Sequence, residues 1–432
     1  MLPRSALPTR VPIRSGEMKL QRAVIIAPIL PAETGNGLAM RMGMFAEAIR
    51  RFATLDLVLV PVAGGPISPS PYLGRLGVNL HVVPVAGRGE THFQFLSRLT
   101  DAGKRLAAFK AYGKPRLTSY LSAPVLDEIR RIGAACKPDL VHIGRSYLAP
   151  CLSVLPDRIA CTLDLDEDDL TSFLSQAHTA RRDGDIHKAE WLEQEGRACD
   201  SLIRRLAPSF KLIFVASDRE AILLRQRHAH LHPILAENGV GIPRYNQRLD
   251  DGETLLFAGA LSYAPNAEGI TWFARTVLPR LRSRNGAPCR VLIAGAQPPG
   301  AIRAVHCRSR IHFLGHVPDL GALYRRSALA LAPLHAGGGT RIKLLEAASY
   351  GVASVSTSLA SQGIGWPEGL SGWTADSAGE FASACHEALS HAPERQLRGT
   401  RSRSWVRRHH NRALLSARIA RIVQQSLIKT EF

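Results

Sequence analysis

A glycine-rich turn followed by basic and acidic residues is the most specific chemical signal in the chain. The segment APLHAGGGTRIKLLEAASYG reads as a buried strand, three glycines and a helix that Thr340 opens. The free N–H groups and the dipole at a helix N-terminus favour an anion, and glycines let a diphosphate approach the backbone. Arg341 and Lys343 add positive charge in the first turn, and Glu346 could accept hydrogen bonds from ribose hydroxyls. The residues predicted to bind a nucleotide diphosphate are Gly337, Gly338, Gly339, Thr340, Arg341, Lys343 and Glu346.

Strands and helices alternate on both sides of this segment. Apolar runs predict strands at 23–30, 78–85, 138–144, 160–166, 212–217, 254–261, 289–296, 310–315, 329–334 and 353–358. Helical periodicity falls at 94–112, 122–135, 181–206, 266–284, 319–326, 340–350, 378–391 and 399–428. Continuous apolar runs are typical of strands that a parallel sheet buries on both faces. We therefore predict an α/β fold of two doubly wound, Rossmann-like parallel-sheet domains with a cleft between them.

The domain boundaries follow from breaks in this alternation. The amino-terminal domain is predicted to span 18–240 and the carboxyl-terminal domain 241–398, with a hinge near Asn238–Gly252. The basic segment 399–432 is predicted to be a helix that packs back towards the amino-terminal domain. Residues 1–17 have no apolar core of a secretory signal, and are expected to be a disordered extension or to precede the true start.

Composition narrows the classes of protein. The 432 residues carry a formal charge of +19, with 46 arginines against nine lysines, which either reflects genome composition or favours an anionic partner. The seven cysteines form no CxxC pair, so neither a zinc site nor a disulfide framework is indicated and a reducing cytoplasm is expected. No apolar run approaches the roughly 20 residues needed to span a bilayer.

The glycine-rich segment resembles the signature of bacterial family-four glycosyltransferases of the GT-B fold, in the subgroup with the pattern P-x-x-x-G-G-G-T-R-x-K-x-L-E-A. The similarity extends through LLFAGALSYAPNAEGITWFARTVLPRLR, VLIAGAQPP and IHFLGHVPDLGALYRRSALALAPL, and more loosely through GNG, KPDLVHIG, LDLDEDD and ENGV. It covers about residues 20 to 425. The resemblance implies a nucleotide diphosphate sugar donor bound by the carboxyl-terminal domain, an acceptor bound by the amino-terminal one, retention of anomeric configuration, and no metal or other cofactor.

The same resemblance assigns roles in the first domain and shows two departures in the second. Gly35, Asn36 and Gly37 match a loop that faces the donor across the cleft, and His142 matches a position beside the reacting sugar. Arg341, Lys343 and His142 are accordingly the predicted catalytic residues. The wider family has a Glu–seven residues–Glu pattern, of which Glu346 is the second member while Gly338 replaces the first. The widespread phosphate-binding GR…K pair is also replaced, by GALSYAPN.

The acidic run DLDEDD, Asp164 to Asp169, allows two interpretations. Such carboxylates could hold a divalent cation on a diphosphate, a function that competes with the glycine-rich site. Acidic runs are more often solvated or cap a helix. An acceptor-side or cleft-facing role for Asp164 or Asp166 is the alternative, and no metal site is predicted.

A basic stretch at 97–116 could contact an anionic membrane surface. It contains Arg98, Lys104, Arg105, Lys110, Lys114 and Arg116 against one acid, Asp101. Interfacial helices combine such a basic face with Leu and Phe on the other, and a peripheral position on the membrane would place the enzyme near lipid-linked acceptors. The alternative is a solvated helix.

The predicted function is thus sugar transfer from a nucleotide diphosphate sugar to a glycan or lipid-linked saccharide in cell-surface polysaccharide synthesis. An epimerase or hydrolase of the same fold would act on the nucleotide sugar without an acceptor. A nucleic-acid-binding protein is disfavoured, because the basic residues are dispersed and 6% aromatic residues offer no stacking platform.

Overall fold

The computed structural model describes residues 21–85, 89–244, 247–281, 289–295, 310–317, 319–367, 369–370 and 372–428. The predicted extension at 1–17 lies outside these residues, as does part of the VLIAGAQPP segment. The described chain forms two parallel sheets in separate domains, which confirms the predicted fold class.

The amino-terminal sheet has seven parallel strands in the order β3-β2-β1-β4-β5-β6-β7. The strands are β1 (Gln21–Ala27), β2 (Ala53–Leu59), β3 (Asn79–Val82), β4 (Leu140–Gly144), β5 (Ala160–Asp166), β6 (Leu212–Val215) and β7 (Ile234–Leu235). The helices are α1 (Gly37–Arg50), α2 (Pro71–Leu76), α3 (Thr91–Ser97), α4 (Ala102–Tyr112), α5 (Ala123–Cys136), α6 (Asp169–Arg182), α7 (Ile186–Leu206) and α8 (Asp218–Arg227). Two apolar clusters cover the two faces of this sheet, as expected for strands buried on both sides.

The carboxyl-terminal sheet has six parallel strands in the order β10-β9-β8-β11-β12-β13. They are β8 (Thr254–Ala258), β9 (Arg290–Ala294), β10 (Ile311–Gly315), β11 (Leu329–Ala332), β12 (Ser354–Ser356) and β13 (Gly372–Thr374). The helices are α9 (Ala264–Trp272), α10 (Gly321–Arg326), α11 (Ile342–Ser349), α12 (Ser358–Ser361), α13 (Ala378–Ser390), α14 (Ala392–His409) and α15 (Arg412–Ile428). A π-helical turn, Phe273–Val277, continues α9.

Three predicted helices are divided in the structure. The stretch 94–112 is α3 and α4, because Asp101 caps α4 by accepting the N–H of Lys104. The charged helix expected at 181–206 is the last two residues of α6 and all of α7, which begins at Ile186. The basic segment from 399 is the end of α14 and all of α15, separated at His410 and Asn411, where the chain crosses between the domains.

The crossing at His410 and Asn411 lies beside the predicted hinge. Val240 pairs with Asn411, and His410 Nδ1 lies 2.8 Å from the carbonyl oxygen of Asn238. Beyond this point α15 packs on α1, where Leu415 and Ile419 join the amino-terminal core. The chain thus crosses between the domains twice, near Val240 and at His410–Asn411, and the two crossings lie side by side. Helix α15 packs with the first domain. Among the described helices, none is both long and apolar enough to cross a membrane.

Candidate active site

A cavity of about 630 Å³ lies between the two domains. Loops that follow the carboxyl ends of the parallel strands line it, which is the usual ligand position in open α/β sheets. Of the predicted donor loop, Gly338–Lys343 form its carboxyl-terminal wall together with Glu346, whereas Gly337 is not among the lining residues. The opposite wall contains the predicted loop Gly35–Gly37 and residues from α6 and α7. The structure thus brings nine of the predicted site residues together: Gly35, Asn36, Gly37, Gly338, Gly339, Thr340, Arg341, Lys343 and Glu346.

The glycine loop approaches the other domain closely. Gly337 and Gly339 have φ angles of +99° and +70°, which other residues adopt rarely. The N–H of Gly338 donates to Oγ of Ser172 at 3.0 Å. A Cβ atom at Gly338 would lie 2.7 Å from Oε2 of Glu167 and 2.9 Å from Cβ of Ser172. The glycine that replaces the first Glu of the family pattern therefore leaves room for a carboxylate from the amino-terminal domain.

Helix α11 begins without a side-chain cap. It starts at Ile342, two residues later than predicted from Thr340, and Arg341 occupies the N-cap position. The hydroxyl of Thr340 and Nε of Arg341 are buried and have no hydrogen-bond partner among the described residues. Nη1 of Arg341 donates to the carbonyl oxygen of Gly339 at 3.0 Å. An uncapped helix start beside a buried guanidinium is suited to an anion.

Lys343 points from the first turn of α11 to the segment that replaces the family's phosphate-binding pair. Its Nζ donates to Oδ1 of Asn266 at 2.6 Å and lies 4.2 Å from the ring centroid of Phe257. A Cβ atom at Gly259 would lie 3.0 Å from the same Nζ. Burial, with the nearby charge of Arg341, lowers the pKa of Lys343 to about 7. A phosphate at this position would restore full protonation of the amine.

Glu346 connects the two walls. Its side chain is buried beside the backbone of Gly35, which belongs to the opposite domain. Burial raises the pKa of Glu346 to about 7, against the opposing effects of the Gly35 N–H and of Lys343. Gly37 also packs against this helix, since a Cβ atom there would lie 3.3 Å from Cδ1 of Ile342. The predicted loop and the predicted helix therefore meet directly.

Asn36 has a local structural task within this loop. Its Oδ1 accepts the N–H groups of Leu38 and Ala39 at 2.9 and 3.2 Å and so caps α1. Gly35 precedes it with a φ angle of +97°. The GNG sequence is therefore explained by the turn into α1 as well as by its position in the cleft.

The structure does not bring His142 to the cleft, which corrects its prediction as a catalytic residue. His142 lies within β4 and is 0% exposed. Its ring stacks on Phe45 with a centroid distance of 4.2 Å, and Nδ1 lies 2.9 Å from Oγ1 of Thr162. Burial lowers its pKa to about 3, so the imidazole is neutral. The error arose because His142 lies two residues before the end of β4, on the face that packs against Phe45 of α1.

Arginines neutralise most of the acidic run. Asp164 is fully buried in a bidentate pair with Arg41, at 2.6 and 2.7 Å. Asp169 lies 2.6 Å from Arg145, which also contacts Glu167 at 3.2 Å. Asp168 caps α6 and pairs with Arg227. Buried bidentate pairs hold the chain in place more than they offer free ligands. Asp164 is therefore a core residue, whereas Asp166, with a φ angle of +63°, does line the cavity.

Sequence reasoning missed two charged residues of the amino-terminal wall. Arg145 directly follows β4 with a φ angle of +75°, a rare conformation that directs a buried guanidinium to the cavity edge. Glu195 lies in the middle of α7, where a polar helix gave no reason to single it out. For Arg145 the sequence offered one signal, its position directly after the strand DLVHIG. For Glu195 it offered no signal.

One group of side chains away from the cavity could hold a cation. Nε2 of His81 lies 2.9 Å from Oδ1 of Asp56 and 3.9 Å from Sγ of Cys136, and the three ligand atoms lie within 4.8 Å of one another. The absence of a CxxC pair did not predict this convergence, which β2, β3 and α5 bring about. The six described cysteines are free thiols.

Comparisons with known proteins agree with this architecture. Residues 252–391 match the family described as Glycosyl transferases group 1. Sucrose-phosphate synthase from Thermosynechococcus elongatus has a similar structure, with a TM-score of 0.68, 11% identity, and coverage of 94% of this chain and 99% of that one. Anabaena HepE, solved with UDP and glucose, gives a TM-score of 0.62 at 12% identity, covering 94% and 99%.

WaaG, a glycosyltransferase involved in lipopolysaccharide biosynthesis, gives a TM-score of 0.60 at 13% identity, with coverage of 93% and 99%. No curated protein sequence matches the chain significantly. At these identities the structural similarities establish the fold alone, whereas the family match concerns the domain that contains the glycine loop and α11. The chain therefore has the GT-B fold, and residues 252–391 of its carboxyl-terminal half are similar to group 1 glycosyl transferases.

Proposed function

We propose that this protein is a retaining hexosyltransferase that moves a sugar from a nucleotide diphosphate donor to a saccharide or lipid-linked acceptor in polysaccharide synthesis. The observation that carries the proposal is the arrangement of α11. Its uncapped start, Arg341 and Lys343 line one cavity with the Gly35–Gly37 loop of the opposite domain. This arrangement offers hydrogen-bond donors and positive charge to a diphosphate inside an enclosed cleft.

The donor is assigned to the carboxyl-terminal wall. A diphosphate would lie against the start of α11, where Lys343 reaches the GALSYAPN segment from another element of the chain. Glu346, which is buried beside Gly35, would accept hydrogen bonds from the ribose. Leaving-group charge grows as the glycosidic bond breaks, so fixed cations there favour the transition state over the ground state.

Nucleotide binding tests the proposal directly. UDP is the first probe, because HepE was solved with UDP, and GDP is the alternative. A ligand that binds only the folded protein raises the melting temperature as its concentration rises. At a hundredfold excess over Kd the free energy of unfolding increases by about 2.7 kcal/mol. We expect UDP or GDP, and not the nucleoside alone, to produce this shift. Equal shifts with uridine and UDP would contradict a diphosphate site.

Metal independence belongs to the same proposal. All five acidic side chains of the Asp164–Asp169 run already contact arginines, so the charge of the diphosphate is assigned to Arg341, Lys343 and the helix start. Sugar transfer should therefore persist in excess EDTA. Complete loss on chelation, restored by manganese or magnesium, would return the metal function to the acidic run.

Association with an anionic membrane surface is a further part of the proposal. Lys104, Lys110 and Lys114 are exposed on and after α4, and Phe95 on α3 is 64% exposed. Lys110 and Lys114 form ion pairs with Glu190 and Glu90 at 3.5 and 3.0 Å, and both lysines remain about half exposed. An apolar side chain beside exposed lysines is typical of interfacial surfaces.

A further inference from the structure

One face of α7 lines the cavity opposite the donor loop. Trp191, Glu195 and Cys199 are spaced four residues apart and all three line the cavity. Residues at this spacing lie on the same side of a helix. Around them, α7 buries alanine, glycine, leucine and isoleucine. Glu195 is therefore the one carboxyl on an otherwise apolar buried face, among the residues that the structure describes on α7.

Only one of the two carboxyl oxygens of Glu195 forms a hydrogen bond within the described chain. Its side chain is buried, with 5% of the residue exposed. Oε1 accepts the backbone N–H of Arg116 at 2.7 Å. Oε2 is also buried and has no hydrogen-bond partner within the described chain. Leaving a buried acceptor unpaired costs about 1–3 kcal/mol. A glutamine would satisfy Arg116 equally well, so the fold alone gives no reason for a second carboxyl oxygen here.

Trp191 adds an apolar surface one turn away. Its ring stacks on Phe109 of α4, with centroids 4.0 Å apart and an interplanar angle of 16°. This contact holds the indole in place while the residue also lines the cavity. A sugar ring presents C–H groups on its face and hydroxyls around its edge. A fixed aromatic ring beside a hydrogen-bond acceptor is complementary to both.

The charges in the cavity exclude two other ligands for Oε2. A phosphate would be repelled by the carboxyl group and is better placed at Arg341 and Lys343, on the opposite wall. A cation would find Oε2 as a single unpaired ligand among the described residues, because Glu167 and Asp169 on the same wall already pair with Arg145. A neutral hydroxyl donor meets neither objection.

We propose that the face of α7 with Trp191 and Glu195 is the acceptor subsite, where Oε2 of Glu195 accepts a hydrogen bond from a hydroxyl of a saccharide whose ring lies against Trp191. The proposal rests on the glycosyltransferase function proposed above and adds the place and the chemistry of acceptor recognition. The subsite positions the acceptor. The donor loop, α11 and its cations remain responsible for the leaving group.

The experiment separates acceptor binding from donor chemistry. The full chain is titrated with a set of octyl monosaccharide glycosides while tryptophan fluorescence is followed. UDP or GDP release from the matching nucleotide sugar is then measured with and without those glycosides. Glu195→Gln should raise the KM for the glycoside at least tenfold, with nucleotide affinity and acceptor-independent donor hydrolysis within twofold of the wild type. Trp191→Phe should retain most of the affinity and Trp191→Ala should not.

Glu193→Gln is the matched control, since Glu193 lies on the same helix and contacts Arg181 and Arg197 instead of the cavity. It should transfer like the wild type. Unchanged glycoside KM in Glu195→Gln would overturn the subsite, as would a wild type whose fluorescence responds to no glycoside while it still binds the nucleotide. A wild type that binds neither UDP nor GDP would overturn the proposed function and the subsite with it.

Discussion

The amino-terminal wall of the cleft carries more charged residues than the carboxyl-terminal wall, and the two walls use their charges differently. On the amino-terminal wall, Arg145 lies within 3.2 Å of Glu167 and 2.6 Å of Asp169. On the carboxyl-terminal wall, the hydrogen bonds of Arg341 and Lys343 go to a carbonyl and an amide, and neither forms a salt bridge among the described residues. Positive charge is therefore internally balanced on one wall and available to a ligand on the other.

This difference indicates which ligand each wall suits. A cation that already pairs with carboxylates gains little from a phosphate, because the new attraction replaces an existing one. Lys343, whose pKa burial lowers to about 7, gains the full interaction when a phosphate approaches. On the amino-terminal wall the charges are paired, and Glu195 has one carboxyl oxygen without a hydrogen bond in the described chain. This wall therefore suits neutral hydroxyl groups. The proposed donor site on α11 and the proposed acceptor site on α7 follow this difference.

The largest expected effect comes from removing the unbalanced charges. Lys343→Met and Arg341→Ala should each lower turnover by about 10² or more, the scale for losing one charge-stabilising group, while donor affinity falls less. The melting temperature of Lys343→Met should stay unchanged or rise, because the variant removes a buried amine. Steady-state kinetics and thermal unfolding measure both effects. The exposed Lys104→Met is the control, and near-normal turnover in both site variants would mean that the diphosphate is bound elsewhere.

Glu346→Gln tests the connection between the walls. The carboxylate lies beside Gly35 and is proposed to bind the ribose, so its loss should weaken nucleotide binding by roughly 1–3 kcal/mol. Calorimetric titration with UDP or GDP measures this. Glu195→Gln, on the opposite wall, should leave nucleotide affinity unchanged. If the Glu346→Gln protein folds and binds the nucleotide with wild-type affinity, Glu346 does not bind the ribose.

The pH dependence of stability should reveal both buried carboxyls. Burial raises the pKa of Glu195 and of Glu346 from 4.5 to about 7. Between these values the folded protein retains protons that the unfolded chain has lost. Raising the pH from 5 to 7.5 should therefore lower the free energy of unfolding, on the order of 2–3 kcal/mol for each carboxyl. Urea unfolding at both pH values should show a smaller loss in Glu195→Gln and Glu346→Gln than in the wild type or Glu193→Gln.

The smallest effect per residue is expected for membrane binding by the outer surface of the amino-terminal domain. Binding to liposomes should increase with anionic lipid content, at about 1 kcal/mol for each basic residue near the surface. Replacing Lys104, Arg105, Lys110 and Lys114 with Gln should reduce it, and Phe95→Ser should reduce it further. Cosedimentation with vesicles of increasing anionic content measures the effect. If wild-type protein does not cosediment with anionic vesicles, these helices are only a solvated surface.

Local patterns in the sequence were sufficient for the fold and for one wall of the cleft. Buried strands of a parallel sheet are continuous apolar runs, and the turn from β11 to α11 needs its glycines in consecutive positions. Both features depend on neighbouring residues, so both are visible in the sequence. The same holds for Asn36, whose capping partners are two and three residues away.

The other wall depended on packing between distant segments. Arg41 and Asp164 are 123 residues apart in the chain, and Glu167 reaches Gly338 from the other domain. Whether His142 faced the cleft or the core was decided by the packing of α1, whose Phe45 stacks on the imidazole ring. Glu195 became a cavity residue only because α7 packs its apolar face inwards. The sequence alone therefore determined the two domains and the donor loop, whereas tertiary structure decided which charges are balanced, since distances between separate elements follow from packing and leave no local pattern.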